Sequence, residues 1–554
     1  MATHAQNRPL GGEPGRVLQM EPRRPHRPRG RVAAVLLVLG LIALIAPSFV
    51  HLNQFRDRLA NTLTATLGRE VSVRDVRLRL LPRPGFLISG LSIADDEGFS
   101  AEPMIRSEEV TAWLRISSIW RGRLEIASLS LHEPSLNLVR NQSGRWNIEA
   151  LLERAAQTPT APTGKTRAES RPRFPYIEAE NGRINLKFGQ EKKVFALADT
   201  DFALWLASEN EWNMRLAGQP IRTDANLGNT GRLRAEGSFR RAADLRATPL
   251  KIDLKLEDAQ LGQLTHLVYG FDRGWRGAVR LGAILNGTPS DFTVSTDARV
   301  SDFRRYDIAT AERLTLQAHC DAHYRSGHLG GTNARNFFLN AQCHSPVQEG
   351  QVVLHAELSP AQAEPLFNVM AVSVPVSSLA AFFRHAKKDV DEDFSASGTL
   401  SGNLEWQNGE LVGSWVASAV RLRSDSLKPA LTVGNLILSV QQEQPLRGNE
   451  AKWDRAWLRV LPFSLPLDGP APVNVQGAFS RTEYKLTLNG MADSERLAAL
   501  FQTLGLPMPA NAPAEGVART DLQVSGTWAR FAAPKTTGIV RPQSASVARA
   551  GIKQ

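Results

Sequence analysis

Cysteine is scarce in this sequence. The only two cysteines among 554 residues are Cys320 and Cys343. Two cysteines permit one disulfide in an oxidising compartment and exclude a fold built on a disulfide framework. Cys320 and Cys343 could form that disulfide if they lie on neighbouring strands, and burial as two free thiols is the alternative that the sequence leaves open.

Catalytic and metal-binding motifs are also lacking. No GxSxG, HExxH, Walker or GxGxxG element stands in the context that its chemistry requires. The acidic run 389–393 lacks the glycine and the distal glutamate of a calcium loop, so we interpret it as a solvated connection. His319 and His323 would lie on one face of a strand but about 13 Å apart, too far for one ion. We therefore expect no enzyme, no catalytic residue, no metal site and no cofactor.

Basic residues are in excess, with a net charge of +11, but they are not concentrated in one module. Part of the excess lies before residue 32, and the rest is scattered as single arginines among strand-like runs. The sequence has no Lys/Arg-rich helix and no basic patch interleaved with aromatics, which are typical of nucleic-acid-binding modules. We therefore do not expect nucleic acid as a partner, and an anionic membrane surface fits the charge better.

One long hydrophobic run is present, over residues 32–50, and it carries no charge. As a helix it would be about 28 Å long, close to the hydrocarbon core of a bilayer. Arginines precede it, so we predict a single-pass anchor with a cytoplasmic N-terminus and an exported body. A cleaved signal peptide is the alternative, although Pro47 would follow a cut after Ala46. A buried helix of a soluble protein is the third interpretation.

Apolar and polar residues alternate with a period of two through most of the remaining chain, which is typical of half-buried strands. This pattern begins after an amphipathic helix over 54–67 that ends at Gly68, and it predicts a mainly β fold. A further helix is predicted over about 148–156, with Asn147 as its N-cap. Composition divides the chain into a disordered basic cytoplasmic arm (1–31), the anchor (32–50), an N-terminal β module with short helices (51–156), a flexible linker (157–172), a repeated β region (173–533) and a disordered tail (534–554).

An internal repeat runs through the second half of the chain. Each copy has a short amphipathic helix, a turn and a glycine-bounded strand, and the helices begin at Leu261, Val376 and Ser494. A strand-rich unit that recurs in series predicts an extended array, because one unit alone cannot bury its apolar face.

These features resemble the AsmA family. The resemblance extends from the anchor to about residue 530 and is strongest over 50–156. The segments that carry it, besides the anchor and the helix that ends at Gly68, are EVSV (70–73), VRLRLLPRP (76–84), LSI (91–93) with Asp95, LSLHEPSLNL (129–138), GRWN (144–147) and GTP (287–289).

The resemblance implies an inner-membrane protein of the Gram-negative envelope. Its periplasmic body would be an extended, curled antiparallel β-sheet, a taco-like groove that carries glycerophospholipid and supports outer-membrane biogenesis. Such a sheet can be apolar on one face, and each CH₂ group buried there contributes about 0.8 kcal/mol. The tryptophans that we consider for lining a groove, although a place in the core or at a sheet edge is more common, are Trp113, Trp120, Trp146, Trp205, Trp212, Trp275 and Trp406.

The expected partners are membrane lipids, the inner membrane through residues 32–50, and proteins of the outer membrane or envelope. A scaffold that regulates the targeting or folding of outer-membrane proteins through exposed strand edges is the alternative function. An envelope hydrolase with an unrecognised site is a third hypothesis.

Overall fold

The structure is a computed structural model. It describes residues 34–35, 37–38, 53–80, 83–119, 125–157, 160–164, 173–189, 191–240, 245–326, 337–359, 365–407, 410–442, 456–528 and 531–542. The predicted arm lies outside these residues, and only four residues of the predicted anchor, all helical, lie within them. Among the helices formed by the described residues, none is both long enough and apolar enough to cross a membrane.

Strands dominate the described residues, as the alternating pattern predicts, and they form one 25-stranded sheet. The helices are α1 (Asn53–Leu67), α2 (Ile116–Ile119), α3 (Glu149–Gln157), α4 (Leu261–Tyr269), α5 (Val376–Ala386) and α6 (Ser494–Thr503). The strands are β1 (Val71–Ser72), β2 (Asp75–Arg79), β3 (Gly85–Ile93), β4 (Ile105–Leu114), β5 (Ile126–His132), β6 (Ser135–Arg140), β7 (Tyr176–Phe188), β8 (Glu191–Ser208), β9 (Glu211–Arg222), β10 (Thr230–Arg240), β11 (Leu250–Gln260), β12 (Trp275–Thr288), β13 (Asp291–Arg305), β14 (Leu316–Ser326), β15 (Phe337–Val347), β16 (Gly350–Leu358), β17 (Leu366–Pro375), β18 (Ser395–Gln407), β19 (Glu410–Arg423), β20 (Leu431–Gln442), β21 (Ala456–Leu465), β22 (Val473–Phe479), β23 (Glu483–Asp493), β24 (Val517–Thr527) and β25 (Lys535–Pro542).

The strand order follows the sequence from β7 to β25, and each of these strands is antiparallel to the next. The N-terminal end departs from a fully antiparallel sheet, because β5 and β6 lie end to end and both pair in parallel with β7. A parallel pair requires a long crossover connection. The chain from β6 to β7, which contains α3, supplies it and places that helix beside the sheet.

The internal repeat is confirmed by the three helices α4, α5 and α6. Each begins directly where a strand ends, after β11, β17 and β23, and the chain then returns as the neighbouring strand. The helices therefore recur every sixth strand. Gly270 ends α4 with a positive φ of 82°, and the Asp493 carboxylate caps α6 by accepting the Arg496 N–H at 3.1 Å.

Two closed cores lie toward the ends of the sheet. In the first, Leu59, Leu63 and Leu67 of α1 pack on a cluster of buried residues that includes Ile88 and Met104, which confirms the predicted apolar face of that helix. The second core joins β17–β25 with α5 and α6. Hydrophobic burial of this kind is the main favourable contribution to folding.

The sheet is curled, because elements far apart in strand order touch. Phe531, between β24 and β25, meets Trp275 of β12 edge-to-face with ring centroids 4.9 Å apart. Phe382 of α5 stacks on Phe303 of β13 at 5.5 Å. These contacts bring α5 and Phe531 against the start of β12 and the end of β13.

Three local predictions are corrected by the structure. The predicted tail begins too early, because 535–542 is the strand β25, which pairs with β24 and buries Val540. Residues 160–164 of the predicted linker are fastened to β8, where Thr163 N–H donates to Leu206 O at 3.0 Å. Asn147 is not the cap of α3: its side-chain oxygen instead accepts the Val139 N–H at 3.1 Å.

Candidate functional site

One face of the sheet is apolar from β8 to β17. Residues directly opposite each other on antiparallel strands share a face, so the register identifies its members. One row is Leu204, Met214, Gly237, Ile252, Leu285, Val294, Ala322, Ala341, Ala356 and Phe367. The next row is Phe202, Leu216, Ala235, Leu254, Ala283, Thr296, Cys320, Cys343, Leu354 and Val369. We call these two rows and their neighbours the apolar face.

The opposite face carries polar and charged side chains. A row between the two above consists of Arg215, Glu236, Asp253, Ile284, Ser295, Asp321, Gln342, His355 and Asn368. Cross-strand ion pairs such as Arg215–Glu236 lie on this face, at 3.1 Å and well exposed. The division into one apolar and one polar face is typical of an antiparallel sheet with one side in water.

In the described part of the chain, the middle of the apolar face is not sealed by protein. Leu281 of β12 and Leu354 of β16 are each 38% exposed. In the C-terminal core, by contrast, Leu500 and Phe501 of α6 are only 3% and 1% exposed. The helix thus closes the C-terminal part, whereas the middle strands leave apolar side chains accessible.

Small side chains line the middle of the apolar face. The members that β13, β14 and β15 contribute to its rows include Ala298, Ala318, Cys320, Ala322, Ala341 and Cys343. Aromatic rings border them: Tyr324 stacks on Phe292 at 4.9 Å and on Phe337 at 5.9 Å. The short side chains at these positions, which we call the floor of the apolar face, leave space above the backbone that long side chains would fill. An aliphatic chain could lie in that space.

The two cysteines lie opposite each other in the middle of the apolar face. Cys320 of β14 pairs in register with Cys343 of β15, and their sulfur atoms form a disulfide. The bond ties together two strands whose connection, residues 327–336, lies outside the described part of the chain. The disulfide is therefore part of the floor of this face.

A cavity of about 780 Å³ lies at the N-terminal end of the apolar face, between α3 and strands β9–β11. This volume is within the usual range of small-molecule sites. Met214, Phe239, Leu250 and Ile252 contribute its sheet side. The helix side and the rim consist of Arg145, Trp146, Ile148, Glu149, Leu152, Glu153 and Arg246. Sequence reasoning missed this cavity because it depends on where the β6–β7 crossover places α3, which local periodicity does not reveal.

The histidines considered for a metal site lie on the polar face and pair with carboxylates. His319 Nδ1 is 2.8 Å from Asp297 Oδ1, and His323 Nε2 is 2.7 Å from Asp291 Oδ1. The hydrogen bond to Asp297 and the charge of Asp321 raise the pKa of His319. Across the described residues, no group of three or more His, Cys, Asp or Glu side chains is arranged to hold a metal ion.

The tryptophans divide between core and surface. Trp212 and Trp406 are core residues, 4% and 2% exposed, and Trp146 is the one described member of this set that borders the large cavity. Trp275 stacks on Phe303 and meets Phe531 edge-to-face, and Trp120 lies outside the described residues.

Comparison with known proteins identifies a similar family. The model of the AsmA family matches residues 30–210, which cover α1, β1–β7 and all of β8. Residues 30–210 of this chain are therefore similar to the AsmA family. The match confirms the resemblance over these residues, which include β8, the first strand of the apolar face. No curated protein and no solved structure matches the chain.

Proposed function

We propose that this protein carries phospholipid along its apolar face and thereby supports outer-membrane biogenesis. The observation that carries the proposal is the accessible middle of that face, with a floor of small side chains and exposed Leu281 and Leu354. An ordinary sheet core would cover such residues with a second layer, as α6 does at the C-terminal end.

The physical basis of transport would be non-specific burial of acyl chains. Each CH₂ group moved from water to the apolar face contributes about 0.8 kcal/mol, so two long tails favour the protein strongly over water. Because neighbouring strands contribute mostly apolar side chains to each row, an acyl tail can move from one strand to the next without a large change in free energy. The proposal requires no catalytic residue, and we propose a carrier, not an enzyme.

The location belongs to the same proposal. Residues 32–50 form an uncharged run preceded by arginines, which favours an inner-membrane anchor with the body in the periplasm. A disulfide between Cys320 and Cys343 fits an oxidising compartment. Partners would be membrane lipids and outer-membrane or envelope proteins, with no role for nucleic acid.

Photocrosslinking in living cells tests the proposal. A photoreactive amino acid is placed at Leu354 on the apolar face, with a matched probe at Gln342, an exposed residue of the polar face. We expect a phospholipid adduct at Leu354 and none at Gln342. A polypeptide adduct at Leu354 would favour the outer-membrane scaffold, and absence of lipid at both positions would contradict lipid carriage.

A further inference from the structure

The cavity between α3 and β9–β11 is lined by apolar side chains on its sheet side and by arginines and glutamates at its rim. We infer that it binds the headgroup end of a zwitterionic phospholipid whose amine is a primary ammonium, as in an ethanolamine headgroup. This inference rests on the proposed function, since it names the lipid class and the place where the lipid is held.

The charged residues that border the cavity are spaced four positions apart in the sequence. Arg145 lies in the turn before α3, and Glu149 and Glu153 follow it at the spacing that aligns side chains along one side of a helix. Arg145 Nε is 3.3 Å from Glu149 Oε2, and its Nη2 is 3.9 Å from Glu153 Oε2. These three side chains are 52%, 28% and 36% exposed, so they remain accessible to a ligand.

An apolar stripe runs beside the charged one. Ile148 and Leu152 also border the cavity and face the sheet residues Met214, Phe239 and Ile252 across it. Met214 and Ile252 belong to the row that continues through Leu285 into the small-residue floor. An amphipathic ligand would therefore place its head at the charged stripe and its tails on the apolar face.

The carboxylates of Glu149 and Glu153 differ in the hydrogen bonds that they accept. The Glu149 carboxylate accepts the Trp146 N–H at 2.9 Å as well as a hydrogen bond from Arg145. Among the described residues, the Glu153 carboxylate has only the longer, 3.9 Å contact with Arg145. Glu153 is thus the better acceptor for a ligand ammonium group.

The chemistry of the rim distinguishes headgroups. A phosphate diester would accept hydrogen bonds from Arg145 and Arg246, which both border the cavity. A primary ammonium has three N–H donors for Glu153, whereas a quaternary choline has none. A glycerol headgroup has no positive charge and would leave the lipid anionic beside two glutamates.

Lipid binding by the full chain, purified and incubated with vesicles, tests the inference. The vesicles carry labelled phosphatidylethanolamine, phosphatidylcholine or phosphatidylglycerol with identical acyl chains. We expect wild-type protein to take up the ethanolamine lipid at least about tenfold more than the choline lipid, as one charge-assisted hydrogen bond would give. Glu153→Gln should reduce this preference to within about two-fold, while acyl-chain uptake persists. Glu153→Lys should shift the preference toward the glycerol lipid.

Two controls separate the outcomes. Arg246→Gln should weaken uptake of all three lipids and leave the ethanolamine-to-choline ratio intact, and Glu236→Gln, at an exposed polar-face carboxylate, should change nothing. If wild-type protein takes up all three lipids equally and neither Glu153 variant changes the ratios, the inference is overturned and lipid carriage stands. If wild-type protein takes up no phospholipid, the proposed function itself fails.

Discussion

Arg69 and Asp95 form a buried ion pair in the N-terminal module, with Arg69 Nη1 2.9 Å from Asp95 Oδ1 and the two side chains 3% and 0% exposed. Arg69 also donates to Asn147 O at 2.9 Å, and Asn147 Nδ2 donates to Asp95 Oδ2 at 2.7 Å. Three segments are joined here: the end of α1, the end of β3, and the GRWN turn that leads into α3. This network holds α3, and with it one wall of the large cavity.

Removal of the Asp95 charge should destabilise the N-terminal module. Asp95→Asn leaves the buried guanidinium of Arg69 with only part of its compensation, and breaking a buried pair in this way costs about 3 kcal/mol. Hydrogen exchange, measured by mass spectrometry, should show faster exchange over β1–β6 and unchanged exchange over β18–β24. Glu236→Gln, which breaks an exposed pair, should leave both regions unchanged. Equal exchange in Asp95→Asn and wild type would mean that the pair does not hold the module together.

Two leucines should respond differently to truncation, because one lies in a closed core and the other on the open face. Leu500→Ala creates a cavity in the C-terminal core and should lower the free energy of unfolding by about 2–5 kcal/mol. Leu354→Ala removes a side chain that is 38% exposed and should cost about 1 kcal/mol or less. Urea unfolding of the lipid-free protein measures both. A large loss at Leu354 would show that this part of the face is covered.

A bulky side chain on the small-residue floor should obstruct lipid. Ala341→Trp would displace about two CH₂ groups of an acyl chain, worth about 0.8 kcal/mol each, and so lower lipid occupancy about tenfold. Gln342→Trp adds the same ring to the polar face and serves as the matched control. Quantitative lipid mass spectrometry of the purified variants gives the ratio, and equal occupancy in the two variants would argue against a path over Ala341.

The disulfide should stabilise β14 and β15. It links residues 23 positions apart, and the chain-entropy estimate for a loop of this size is about 3 kcal/mol. The double variant Cys320→Ala/Cys343→Ala should therefore show faster hydrogen exchange in both strands. Reduction of wild-type protein should reproduce that change, and a reductant should have no further effect on the variant. Unchanged exchange in both experiments would contradict a structural role for the bond.

The titration of His319 should depend on Asp297. Its hydrogen bond to Asp297 raises the pKa above the usual value for histidine. A raised pKa means that the protonated imidazole stabilises the fold fully below the unfolded-state pKa, and that this contribution is lost as the pH rises through the folded-state pKa. Histidine C2 hydrogen exchange followed by mass spectrometry gives the value for His319. Asp297→Asn should lower the pKa of His319, and an unchanged value would rule out Asp297 as the cause.

Local patterns in the sequence were sufficient for much of the fold. Period-two alternation located most strands, Gly68 marked the end of α1, and the repeat helices begin where the sequence predicts, at Leu261, Val376 and Ser494. These features depend on side chains close together in the chain, where periodicity and capping operate.

Features that depend on distant pairing could not be predicted from the sequence. The parallel pairing of β7 with β5 and β6, the contact between Phe531 and Trp275, and the cavity beneath α3 all join segments far apart in the chain. The strand β25 was missed because its sequence, KTTGIVRP, has only one buried apolar residue, Val540, and depends on β24 for its backbone hydrogen bonds.

The helices α4, α5 and α6 recur at every sixth strand. The length of the sheet is therefore built from repeated units of six strands. Neighbouring strands are about 4.8 Å apart, so one repeat advances the sheet by about 29 Å along its long axis. Duplication or deletion of a whole repeat would lengthen or shorten the array by that step and leave its cross-section unchanged. The number of repeats would therefore set how far a chain of this architecture extends.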